Sequence, residues 1–246
     1  MNKKLIYISL SSFFIITSAD ASSLKARKDS GVYVSLNAGS CIPLGYFKSP
    51  TYLDMGGYAL NGYGANIELE HPLKPGWLGL AFETGYYDNP FSLQAYKEVI
   101  NPYLSPYSYI YYSATPYKEI PTLGGIFFEK TFKRVTMEFK CEAGVDYITF
   151  PNVNSFQVEI TTFPLLSNIP GAAVFMGQMQ SSTLYVYSLE TSIRYTLSKH
   201  FDLRGSASYF NNFLSHPDLN VEPTSYRLGY ITLSQLHIAM GLAYHI

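Results

Sequence analysis

Charged residues recur at alternate positions inside otherwise apolar stretches, and that spacing sets the chemistry open to this chain. The stretch LYVYSLETSIRYTLS (Leu184 to Ser198) puts Tyr185, Tyr187, Leu189, Ile193, Tyr195 and Leu197 on one parity and Ser188, Glu190, Ser192, Arg194 and Thr196 on the other. Gathered the same way along the chain, Glu68, Glu70, Glu83, Glu138, Lys140, Glu142, Asp146, Glu190, Arg194, Asp202, Arg204 and His237 form one polar set. Such a set supports two kinds of chemistry. Acids and bases can cross-link into a packed polar core, or they can line a path for water or ions. Glu190 and Arg194 are separated by four strand residues, about 13 Å, so each must find partners on other strands. Acids outnumber bases in the set, which leaves a proton, water or a cation open as the partner of the surplus carboxylates.

Other chemistry is sparse. His71, His200, His216, His237 and His245 are the candidate acid–base residues. Only His216, in NNFLSHPDLN, has a serine and an aspartate (Ser215, Asp218) close by in sequence. Adjacency in a loop is weak support for a hydrolytic triad, whose members converge in space. No metal-ligand spacing, phosphate loop or nucleotide fingerprint occurs, so neither an enzyme nor a cofactor is expected. The formal net charge of −1 gives no basic bias toward nucleic acid.

The elements that must position the polar set are strands. Of the 246 residues 14% are charged and 16% aromatic, with 23 Tyr and a single Trp. Low charge, many aromatics and a mean hydropathy of +0.02 fit many two-faced strands better than apolar helices. The N-terminus reads as a secretory signal: Lys3 and Lys4, then LIYISLSSFFIIT, then the small-residue site Ala19-Asp20-Ala21. Residues 1–21 are therefore expected to be removed, leaving 22–246 as one domain.

Eight segments stand out, seven of them with period-2 alternation. They begin with GVYVSLNAGS, YALNGYGANIELEH and WLGLAFETGYY; a Gly-rich fourth (about 120–128) has no clear parity. VTMEFKCEAGVDYITF, the 184–198 stretch, FDLRGSASYF and SQLHIAMGLAYHI complete the series. Connections alternate in length. HPLKPG, EKTFKR and SKH are tight, whereas 40–57, 88–118, 150–183 and 211–232 are long. In an up-and-down array every short turn then falls at one end and every long loop at the other. The turn at SKH must hold an odd number of residues for its flanking strands to keep their polar faces together. NSFQVEITTF and AAVFMGQMQSSTLYVY leave ten strands open, as an extra hairpin either within the membrane or standing above it.

An eight-stranded closed barrel has two solutions, with the apolar parity inside in a soluble barrel or outside in a membrane barrel. Segments longer than the usual five or six residues favour the membrane. So do aromatics at the segment ends, with Tyr147, Phe150, Tyr185, Tyr187 and Tyr209 toward the long loops and Tyr195, Phe201 and Tyr244 toward the short turns. Cys41 and Cys141 fall on different faces, which argues against a mutual disulfide.

These features together, with the alternating final run Ile238, Met240, Leu242, Tyr244, Ile246, make the chain resemble the small bacterial outer-membrane barrels of the OmpA, OmpX and OmpW kind over residues 30–246. The resemblance is architectural. It implies an all-β, eight-stranded antiparallel up-and-down transmembrane barrel, periplasmic termini and short turns, and long extracellular loops. It also implies outer-membrane lipid and the barrel-assembly machinery as partners. The family usually ends in an aromatic residue, often Phe; here Ile246 is last. The expected role is structural or surface-interactive, with a plugged, salt-bridged interior and a monomeric barrel. A narrow solute channel is the alternative and a lipid-modifying enzyme the next. Among the loops, NPYLSPYSYIYYSATPYKEIP is the candidate binding surface, through Tyr103, Tyr107, Tyr109, Tyr111 and Tyr112, with His216 beside them as a further candidate for contact with host or surface ligands.

Overall fold

The alternating segments form strands, and the strands close on themselves. The structure, a computed structural model, describes residues 31–50, 57–73, 77–100, 108–159, 172–176, 181–213 and 232–246. The expected signal segment, Tyr103, Tyr107 and His216 lie outside these residues. Strands β1 (Tyr33–Leu44), β2 (Gly62–Leu73), β3 (Leu78–Asn89), β5 (Tyr117–Phe132), β6 (Val135–Thr149), β9 (Ser181–Thr196), β10 (Phe201–Phe213) and β11 (Thr232–His245) form a closed antiparallel barrel. Each is hydrogen-bonded to its sequence neighbours in the barrel, and β1 pairs with β11 from Tyr33–His245 to Leu44–Ser234 to seal it. Closure leaves no open sheet edge in the wall.

The barrel has eight strands. The segments that left ten open form a hairpin apart from the barrel wall: β7 (Val153–Glu159) pairs with β8 (Ala172–Met176) and with β4 (Ser108–Ala114) in a separate three-stranded sheet, order β4-β7-β8. Part of the Tyr-rich segment expected to be a loop is thus a strand: Tyr109, Tyr111 and Tyr112 sit in β4, paired with β7. The short turns also behave as the parity argument requires. Leu197 N–H donates to the Phe201 carbonyl at 3.0 Å, closing a three-residue loop at Ser198–His200. The β5–β6 turn is reduced to Lys133 and Arg134, with Lys133 at φ 55.

The two faces of the wall have opposite polarity. Leu36 is 62% exposed and Met240 66%, whereas Glu68, Lys140 and Arg204 are 0% exposed. A wall with its aliphatic residues outward and its charges inward suits hydrocarbon outside, and the chain is a transmembrane barrel. Trp77 stacks on Phe128 and Phe201 leans on Tyr244 toward the short turns, while Tyr187 and Tyr209 meet toward the long loops. One expected girdle residue turns away. Phe150, just beyond β6, packs edge-on to Tyr117 at the mouth, because an apolar cluster there covers it better than an interface would. Cys41 is buried inside the wall, Cys141 lies on its outer face, and both are free thiols.

At the long-loop end the chain covers its own mouth. Gly45, at φ 53, lets the backbone leave β1 and fold over the opening as the short helix α1 (Gly45–Lys48). Phe47 of that helix is fully buried among Ala59, Tyr117, Ile148, Leu184 and Leu233. Tyr117 meets it edge-on at 4.9 Å and donates its hydroxyl to the Gly57 carbonyl at 2.7 Å. A second helix, α2 (Leu93–Ile100), follows β3, with the Ser92 hydroxyl accepting from Ala95 N–H at its start.

The outward assignment of the apolar parity has a direct check. Leu189 sits mid-strand on the outer face of β9. Leu189→Arg should lower unfolding free energy by about 2–4 kcal/mol, the cost of a cation at the bilayer midplane, measured by urea titration in lipid vesicles.

Candidate functional site

The inward face is the candidate site, and it is built in layers along the barrel axis. The lowest well-defined layer is centred on Arg194 of β9. Its guanidinium lies 4.0 Å from the centre of the Tyr33 ring, pairs with Glu70 at 3.3 Å and Glu138 at 3.2 Å, and bonds Glu129 closely. Asp202 is buried on the inward face at this short-turn end.

Above it, Lys140 of β6 and Arg204 of β10 share carboxylates. Lys140 Nζ reaches Glu68 at 2.5 Å, Glu190 at 3.0 Å and Glu70 at 3.4 Å. Arg204 donates to Glu68, to Glu190 at 2.5 Å and to Glu138 at 3.2 Å, and faces Glu70 at 3.0 Å. Ser192 donates a further bond to Glu138 at 3.1 Å. Glu190 and Arg194, neighbours on one strand, therefore serve different partners. Among the described residues these three cations contact five carboxylates, so the cluster carries two acids in excess.

Neutral donors hold the next acids. The Asn66 amide and the Tyr87 hydroxyl both donate to Glu83, at 2.7 Å and 3.2 Å, while Asn37 donates to Glu68 at 3.0 Å. Amide and phenol groups here do what water would do outside. Glu142 is buried beside this layer with both carboxylate oxygens lacking a hydrogen-bond donor among the described residues. Carboxylate oxygens of Glu68, Glu83 and Glu190 converge to within 4.8 Å of one another. Lys140 and Arg204 already occupy that convergence, so it reads as an ion-pair cluster and not as a metal site.

His237 marks the change from charge to aromatic packing. Its ring lies 4.1 Å from Phe210 and 4.2 Å from Tyr87 between centres, and Nε2 is 3.3 Å from the Gln235 side chain. Leu123, Val186 and Phe210 pack together at this level. A second polar layer follows, where Gln235 donates to Glu119 at 2.5 Å and Asn212 to Asp146 at 2.6 Å. The Phe47 cluster then closes the mouth. The side chains thus fill the lumen, as expected for eight strands. The His237 ring is sandwiched between Phe210 and Tyr87, and its side-chain contact is with Gln235 although Ser208 lies opposite it on β10.

Several members of this arrangement do not stand out in the sequence. Glu119 and Glu129 lie on β5, whose inward face also carries Leu123 and Phe127 and so shows no clean alternation. Tyr33 shares the inward parity of Ser35 and Asn37, and its part in the site shows only once its ring is seen against Arg194. Asn37, Asn66, Asn212 and Gln235 are uncharged and stand out only once a carboxylate is placed beside them.

No family model matches the chain, and no curated protein matches it. Solved structures similar to it are small outer-membrane barrels. They include neisserial surface protein A, at 12% identity and TM-score 0.45, over 87% of this chain and 97% of that one. The outer-membrane protein OprG of Pseudomonas aeruginosa gives 9% and 0.44, over 89% and 97%. Ail, the attachment invasion locus protein of Yersinia pestis, gives 11% and 0.42, over 89% and 99%.

Removing one cation should expose how tightly the cluster is balanced. Arg204→Met leaves buried carboxylates without their partner and should cost about 3–5 kcal/mol in urea unfolding from detergent micelles. Adding Glu68→Gln should recover part of that loss, because one of the stranded charges is then gone.

Proposed function

We propose that this transmembrane barrel resides in a bacterial outer membrane as a plugged, non-conducting protein with a structural or surface-interaction role. The observation that carries the reading is the ion-pair cluster of Lys140, Arg194 and Arg204. It spans the lumen with side chains that are essentially unexposed. An ion crossing the barrel would have to displace groups already bound to one another in a low-dielectric interior. Phe47 and its neighbours add an apolar seal at one end.

Interaction falls to the long-loop end. There the strands of the β4-β7-β8 sheet stand apart from the barrel wall, and Tyr109, Tyr111 and Tyr112 are residues of β4. Tyr103, Tyr107 and His216 remain candidates for the same surface. In this reading the chain is exported after loss of residues 1–21, is inserted by the barrel-assembly machinery, and acts as a monomer without catalytic activity. The short turns and termini face the periplasm and the long loops face outward.

Two measurements test the proposal. Purified protein in planar bilayers should show no steady unitary current, and Phe47→Ala should remain silent because the charged layers persist beneath the seal; steady currents from the native protein would overturn the plugged reading. For orientation, an epitope inserted within 160–171 should be labelled on intact cells, whereas one inserted between Ser198 and Lys199 should be labelled only after the outer membrane is opened.

A further inference from the structure

The outer wall has a dent where its belt of large side chains is interrupted. A row of mutually paired outward residues runs across five strands: Lys130, Met137, Ile193, Gly205 and Met240. The next row holds Phe128, Phe139, Thr191, Ala207 and Ile238. Gly205, Ala207 and Thr191 are therefore contiguous small residues with bulky apolar neighbours around them. A side chain at Gly205 would meet open space within 4 Å. The result is a groove of about 950 Å³, with Trp77 and Phe128 along one flank.

The groove has a charged end. Lys130 is exposed, with its ammonium 5.1 Å from the centre of the Phe132 ring. It stands two residues before the end of β5, beside the Lys133–Arg134 turn, whereas Gly205 lies four residues into β10. The row thus leads from the interface on the short-turn side into the apolar belt. Three strand spacings separate Lys130 from Gly205, about 14 Å, within the reach of a single acyl chain. A cation at the interface and an apolar trough leading inward from it match a phospholipid: phosphate at one end, hydrocarbon at the other.

We propose that this groove is a seat for one anionic phospholipid of the leaflet on the short-turn side. Lys130 holds its phosphate, and an acyl chain lies over Gly205, Ala207 and Thr191. The seat is formed by the outer wall and is independent of whether the lumen conducts.

The single tryptophan, Trp77, makes the seat observable. The full chain is folded into phosphatidylcholine vesicles containing a minor fraction of phosphatidylglycerol with brominated acyl chains, and quenching of Trp77 is compared with brominated phosphatidylcholine at the same fraction. Phosphatidylglycerol should be enriched about fivefold at the groove, the ratio equivalent to the ~1 kcal/mol that one lysine contributes at an anionic lipid surface. Lys130→Gln should abolish the preference between lipids. Gly205→Leu should lower quenching by both lipids, with folding of each variant confirmed by heat-modifiable gel migration. Equal quenching by the two lipids in the native protein overturns the proposal, as does a preference that survives Lys130→Gln. Two chains per particle in lipid nanodiscs, with Trp77 shielded from both lipids, would assign the groove to a second copy and overturn it as well.

Discussion

A charge buried away from water must meet its opposite or the fold that holds it is unstable. Everything distinctive about this barrel follows from that constraint. Lys140, Arg194 and Arg204 are as buried as any apolar residue in an ordinary core, and each is surrounded by carboxylates drawn from several strands. The cations point inward because the outside is hydrocarbon. They tolerate the inside because Glu68, Glu70, Glu138 and Glu190 are delivered to them by register. Slipping any one strand by a single residue would send its charges into lipid and its aliphatics into the lumen. The ion pairs and the apolar belt therefore specify the same alignment from opposite faces of the wall.

The layering along the axis extends the same logic. Where cations are available, acids gather around them. Beyond the last cation, Glu83, Glu119 and Asp146 are met by Asn66, Gln235 and Asn212. Between these polar layers Tyr87, His237 and Phe210 stack into a compact aromatic floor. Phe47 completes the sequence at the mouth by adding, from a connecting segment, the central apolar side chain to a rim of Tyr117, Ile148, Leu184 and Leu233.

Strand parity made the wall legible from the sequence because, in β6 and β9, one parity is apolar and the other is charged. The turn argument at Ser198–His200 worked for the same reason: it depends only on which face each residue occupies. Parity failed on β5, where Leu123 and Phe127 point into the lumen, since an inward apolar residue is indistinguishable in sequence from an outward one. It had no purchase on Phe47 or Phe150, whose burial depends on where a connection folds back. The Tyr-rich segment misled for a related reason. Tyr and Pro mark surface loops by composition, yet β4 forms because β7, far along the chain, offers it a partner. The polar set itself could be gathered from sequence, but its partnerships could not, because they cross between strands distant in sequence.

Those partnerships carry a consequence for how the molecule comes into being. Arg204 and Glu68 stand 136 residues apart, on β10 and β2, which become near neighbours in the wall only when β1 pairs with β11. A partly assembled sheet would hold these groups without one another, on a surface that has to enter oil. Such an intermediate is suited to water or to a sheltering assembly site, and poorly suited to the bilayer. The pairing of β1 with β11 and the meeting of Arg204 with Glu68 then belong to one closing step, which favours entry of the closed wall over entry hairpin by hairpin.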